Sequence, residues 1–121
     1  MIKAKYFTED EFKRCSPACS LQDMQQDFLD MLDRAREIAD IPFVLNSAYR
    51  SVAHEKKMGR NGSSAHTLGC AADIRCNTDR NRFAIIDALI RVGFWRIGIA
   101  KTYIHADNSR QHSQQVIWLY E

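Results

Sequence analysis

No apolar run in these 121 residues approaches the roughly 20 that a membrane-crossing helix requires. The opening MIKAKYFTEDEF lacks the continuous apolar segment of a signal peptide, so the chain reads as soluble and any export is expected to use another route. Charge of one sign is scarce too: 17 Lys and Arg against 15 Asp and Glu leave a formal charge of +2, with no run long enough for a nucleic-acid arm. Nucleic acid is not an expected partner. Proline is limited to 2 residues and glycine to 5, and no repeat or low-complexity tract marks a linker. One domain over residues 1–121 is expected, as a monomer. The 4 cysteines, Cys15, Cys19, Cys70 and Cys76, are too few for a disulfide scaffold, and CSPAC has no matching C-x-x-C to complete a cysteine zinc site. Small apolar packing or one local disulfide remain open for them.

What the chain does have is a hydrophobic fraction of 45%, enough for a real core. Thr8 with Glu11 reads as a capping box opening a short helix that ends by Ser16-Pro17. Ser20 stands three residues before Asp23, and Met24, Phe28, Leu32, Ala35 and Ile38 share a helical face, predicting a helix over Leu21–Ala39. After Pro42, FVLNSAYR suits a buried strand that delivers Asn46, Tyr49 and Arg50 to a rim. SVAHEKKMG predicts a short helix with HEKK on its solvated face, and Asn61-Gly62 a loop leading into His66. CAADIRC alternates as a strand with Asp73 and Arg75 opposite Ala72 and Ile74. Thr78 or Asp79 caps a helix through Phe83, Ile86, Leu89 and Ile90, closed by Gly93. Phe94 and Trp95 read as core or cleft wall. IGIAKTYIHAD divides into two strands around Lys101-Thr102, with Tyr103, His105 and Asp107 on one side. QVIWLY makes a last strand with Trp118 as a core residue. The fold class predicted is α+β, a mainly antiparallel sheet with helices on one face.

The pattern places His66, Asp73 and His105 on two strands and their entry loop, which could converge on one point. Two imidazoles and one carboxylate suit Zn²⁺, and three protein ligands leave a coordination position open, as a catalytic zinc requires. Gly69, Ala71 and Ala72 would let the backbone fold back closely between the first two. A plainer reading is available for each: an exposed loop histidine, a carboxylate paired with Arg75 or Arg50, and a half-buried imidazole with a hydrogen bond.

Three blocks in order, SAYRS at 47–51, SSAHTLGCAADIRC at 63–76 and RIGIAKTYIHAD at 96–107, resemble the signatures of the M15 zinc D-Ala-D-Ala peptidases, closest to the small single-domain branch of bacteria and bacteriophages. Ser64, His66, Gly69, Ala71 and Asp73 each fall in place within the central block, and the likeness runs over roughly residues 6–119. It implies a DD-peptidase and hedgehog-like fold with His66, Asp73 and His105 as zinc ligands. It also places Arg50 in the cleft as a catalytic and substrate-binding residue, where a cationic fork can hold a terminal carboxylate or polarise a carbonyl. Arg50 as a structural partner of Asp73 or Glu55 is the alternative. Ser64 and Tyr103 join it as candidates for substrate binding, Ser64 being equally readable as a plain loop serine.

The resemblance implies hydrolysis of peptidoglycan stem peptides, by a carboxypeptidase or an endolysin-like endopeptidase, at the bacterial cell wall. In several branches a Glu three residues before the last histidine takes the proton; Thr102 stands there instead. Asp107 is the first substitute as base, or alternatively orients a ligand imidazole, with His54, Glu55 and His112 behind it. The departure at Thr102 also keeps open a catalytically silent zinc module that binds cell wall or a protein partner. A zinc nuclease lacks the basic groove it would need.

Overall fold

Thr8 caps α1 (Glu9–Lys13) through a complete capping box with Glu11 in the computed structural model, which describes residues 1–120. A cap of this kind contributes about 1 kcal/mol. Ser20 forms a second box with Asp23, but what it opens is one 3-10 turn, Leu21–Asp23, and the backbone becomes extended at Met24 before α2 (Gln26–Ala39). The single helix expected over Leu21–Ala39 is therefore two pieces. Tertiary bonds hold the break: Gln25 N donates to the Gly69 carbonyl at 2.9 Å and Gln25 Nε2 to the Leu68 carbonyl at 2.6 Å. They tie the start of α2 to the segment that carries His66. α2 buries Phe28, Leu29, Leu32 and Ala35, whereas Ile38, placed on the same face by spacing, is half exposed.

Phe43 is buried ahead of β1 (Leu45–Ser47), a shorter strand than FVLNSAYR suggests, and Val44 is exposed. Asn46 reaches a rim, but of a separate surface cleft shared with Glu11, Arg14 and Arg75. α3 (Val52–Lys57) is capped by Ser51. A 3-10 turn, Ala65–Leu68, occupies the position where a loop was expected, and β2 (Ala71–Arg75) follows. α4 (Asp79–Val92) starts at the Thr78 cap and closes at Gly93, whose φ of 104° is left-handed. Its buried face is Ile85, Ala88 and Leu89, while Phe83 and Ile90 are exposed. Two apolar stripes are available at helical spacing on this segment, and packing against α2 and the sheet selects one.

β3 (Arg96–Ile99) and β4 (Tyr103–Asp107) form a hairpin around Lys101-Thr102, and β5 (Val116–Leu119) completes a five-stranded sheet in the order β1-β2-β4-β3-β5. Every pairing is antiparallel except β5, which runs parallel to β3. The fold is α+β with a mainly antiparallel sheet, as the sequence predicts. Ala72, Ile74, Ile97, Ile104 and Ala106 join Phe28, Leu32 and Leu89 in the core, each large apolar side chain contributing about 1.5–3 kcal/mol by leaving water. The strand period of two then turns Asp73, His105 and Asp107 to the other face. All four cysteines are free, three of them buried and Cys19 half-buried, so apolar packing is their observed state.

Candidate metal centre

Asp73 on β2 and His105 on β4 are direct cross-strand partners. His66 arrives from the 3-10 turn, where Ser64 Oγ accepts the His66 N–H at 3.0 Å as the cap. Gly69 ends the turn with φ of +73°, and a Cβ there would collide with the Asp23 carbonyl. The glycine thus serves the return of the chain beneath His66 and its approach to the start of α2, while Ala71 and Ala72 pack in the core.

One donor atom from each of His66, Asp73 and His105 lies within 4.8 Å of the other two, and all three side chains are buried. Hydrogen bonds on the far side of each ring say which nitrogen faces inward. His66 Nδ1 is 2.6 Å from the Ala48 carbonyl, which can only accept, so Nδ1 carries the proton and Nε2 is left 3.4 Å from Asp73 Oδ1. His105 Nε2 donates to Asp107 Oδ2 at 2.6 Å, and its Nδ1 lies 3.0 Å from the same Asp73 oxygen. Two ring nitrogens and one carboxylate oxygen therefore converge, each imidazole anchored by its outer N–H, which is the donor set and support that zinc takes. No further His, Cys, Asp or Glu among the described residues joins the cluster.

The pKa shifts of His105, Asp73 and Asp107 all run in the direction that favours positive charge among them. Burial alone would push the His105 imidazole down, but Asp107 and Asp73 on its two sides outweigh it and raise its pKa. Burial would push Asp73 up, yet the imidazoles of His105 and His66 beside it outweigh that and hold it well below the usual carboxylate range. Asp107 is also held low, against its burial, by His105 and then Arg96. A metal ion held by His66, Asp73 and His105 would supply the positive charge that these shifts favour.

The three groups lie in a cleft of about 400 Å³ whose walls include Arg50, Ser64, Tyr103, His112, Trp118 and Tyr120. Arg50 donates from Nε to Ser47 Oγ at 2.9 Å and from Nη2 to Asp73 Oδ2 at 3.1 Å, and its Nη1 is 3.5 Å from Glu55 Oε1. Both structural partners weighed for it are thus present, and it still lines the cleft. Glu55 overturns the solvated reading of HEKK: it is fully buried, its Oε2 takes two bonds from Arg60 at 2.9 and 2.6 Å, and its Oε1 has no hydrogen-bond donor. Burial alone would raise the Glu55 pKa; Arg60 and Arg50 outweigh it and lower it.

Asp107 is fully buried behind His105, and its other oxygen accepts from Arg96 Nε at 2.8 Å and Ser109 N at 3.0 Å. Thr102 is exposed in the β3–β4 turn. His112 spans the cleft rim, with Nδ1 2.7 Å from Ser109 Oγ and Nε2 donating to the Ser63 carbonyl at 2.7 Å. His54 is not among the cleft residues. Trp118, expected in the core, stands on the open face with its ring 5.3 Å from that of His105. Phe94 is core, and the exposed Trp95 borders a different cleft with Asp27 and Asp30. Arg96 was not singled out by the sequence at all, although its position two residues before Gly98 on the ligand hairpin was the available signal.

A five-stranded α+β sheet carrying Asp73 and His105 on adjacent strands, with His66 brought to them by a 3-10 turn, defines a candidate zinc hydrolase. The family model described as Peptidase M15 matches residues 5–107, and the chain belongs to that family of zinc-dependent peptidases. No curated protein matches the chain at a significant level. β5, with Trp118, lies beyond the matched residues, short of the 6–119 span suggested by the sequence.

Proposed function

We propose that the protein is a zinc metallopeptidase hydrolysing peptidoglycan stem peptides, at D-Ala-D-Ala or at a neighbouring stem or cross-link bond. The observation that carries this is the convergence of His66 Nε2, Asp73 Oδ1 and His105 Nδ1 in a cleft, in a chain of the Peptidase M15 family. Zinc held there supplies a Lewis acid for the peptide carbonyl and activates water for attack. The protein's own residues prepare the place. Ala48 and Asp107 fix the two imidazoles with a lone pair inward. Arg50, braced by Ser47 and Asp73, presents its remaining N–H donors to a substrate carbonyl or carboxylate. The Ser64 hydroxyl, having accepted the His66 N–H, still has its own proton to donate, and Tyr103 offers a phenol on the same strand face as His105. Asp107 in this reading orients His105, because all its bonds run to His105, Arg96 and Ser109. The setting is the bacterial cell wall, as a phage lysin or a bacterial enzyme reaching it by another route.

A silent zinc module that binds cell wall or a protein partner is the second reading, favoured by Thr102 and by the engagement of Asp107. One assay separates them. Zinc-loaded protein is incubated with a stem pentapeptide and with cross-linked muropeptides, and the products are followed by mass, with His66→Ala as control. Loss of one alanine marks a carboxypeptidase and internal fragments an endopeptidase. Intact substrate despite tightly held zinc contradicts the peptidase and favours the module.

A further inference from the structure

We propose that Arg96 is a positioning residue for the metal centre: it holds Asp107 behind His105 and so keeps His105 Nδ1 turned to the metal position. This rests on the zinc reading above. Arg96 and Asp107 are cross-strand partners on β3 and β4. The two carboxylate oxygens divide their work, Oδ1 taking Arg96 Nε at 2.8 Å and Ser109 N at 3.0 Å, Oδ2 taking His105 Nε2 at 2.6 Å. With Oδ1 pinned, rotation of the carboxylate away from His105 would break two bonds.

The guanidinium is itself fixed from two more directions. Nη1 donates to the Ser113 carbonyl at 2.7 Å, and Cζ lies 5.0 Å from the ring of Trp118, which in turn stands 5.3 Å from His105. His105, Asp107, Arg96 and Trp118 close a circuit. Ser113 and Trp118 lie outside the residues matched by the family, so part of the support for a candidate ligand comes from the C-terminal segment. Asp107 is fully buried and Arg96 nearly so, and removing one partner of such a pair leaves an uncompensated charge beside the centre. A lysine cannot replace this arrangement, since it lacks a planar fork that bonds a carboxylate and a carbonyl while stacking on an indole.

The test is zinc affinity, measured by competition with a chromophoric chelator, and the visible spectrum of the Co²⁺-loaded protein. Both are read in the full chain and independently of peptidase activity. Arg96→Met should weaken zinc about 10–100-fold, Arg96→Lys less, and both should shift the cobalt bands, with circular dichroism confirming the fold. In a double-mutant cycle, Arg96→Met on top of Asp107→Asn should weaken zinc no further than Asp107→Asn alone, because Arg96 acts through that carboxylate. Arg96→Gln substitutes if the Met variant does not fold. Wild-type affinity and spectrum in the folded Arg96 variants, or full additivity in the cycle, overturns the proposal. A wild-type protein that takes up no zinc overturns the metal reading itself and this role with it.

Discussion

Gly98 on β3 and Trp118 on β5 are register partners, and a Cβ on Gly98 would lie 2.7 Å from the indole Nε1 and 2.6 Å from Tyr120 Cε2. The missing side chain is what lets the two aromatic rings fold over β3 towards His105. Gly98→Ala should therefore displace the aromatic wall while leaving the donor cluster intact. The expected result is a raised KM with zinc stoichiometry unchanged, at a stability cost of about 1–3 kcal/mol for overpacking. Trp118→Ala should raise KM in the same direction without that steric cost. Steady-state kinetics on the peptide found to be cleaved, with metal analysis of each variant, checks both.

Gly69 is constrained twice, by φ of +73° and by the Asp23 backbone against which a Cβ would press. Backbone cannot swing aside as a ring can. Gly69→Ala should cost about 1–3 kcal/mol for the left-handed conformation alone and loosen the bond from Gln25 N to the Gly69 carbonyl. Urea unfolding should show the loss, and zinc affinity should fall with it because His66 sits on the same turn.

Glu55 gives the fold a pH dependence whose sign is fixed. Its folded pKa is lowered, so the unfolded chain takes up the proton first as pH falls. The stabilisation is present in full above the unfolded value of about 4.3 and is lost as pH drops through the lower folded value. Glu55→Gln should lower stability at neutral pH and flatten this acid limb, seen in urea melts from about pH 3 to 7. An acid limb as steep as in the wild type would assign it to other carboxylates.

Bound zinc should raise thermal stability with the logarithm of its free concentration above Kd, by about 2.7 kcal/mol at a free concentration 100 times Kd. Chelation should reverse the shift, and the shift should be absent in Asp73→Asn, which keeps the shape of the side chain and loses its charge. Scanning calorimetry with and without chelator measures it.

The convergence of His66, Asp73 and His105 was partly legible, because a strand period of two sets the faces of Asp73 and His105, but spacing left plainer readings open and the resemblance to the M15 blocks chose among them. Faces chosen by distant neighbours were not legible. Glu55 sits in a sequence that reads as a polar helix face, and only the arrival of Arg50 and Arg60 around it explains its burial. Trp118 alternates as either face of a strand would, and its direction follows from parallel pairing beside Gly98. The same holds for α4, where Phe83 and Ile90 compete with Ile85 and Ala88 for the core, and for the break at Met24, which Gly69 sets from 45 residues away.

Titration calorimetry of zinc into the metal-free protein, alongside His105→Ala and Asp73→Ala, addresses the central claim most directly. One tight equivalent in the wild type and none in either variant is the predicted result. No zinc uptake by the folded wild type, or uptake that persists when both His105 and Asp73 are replaced, would contradict it.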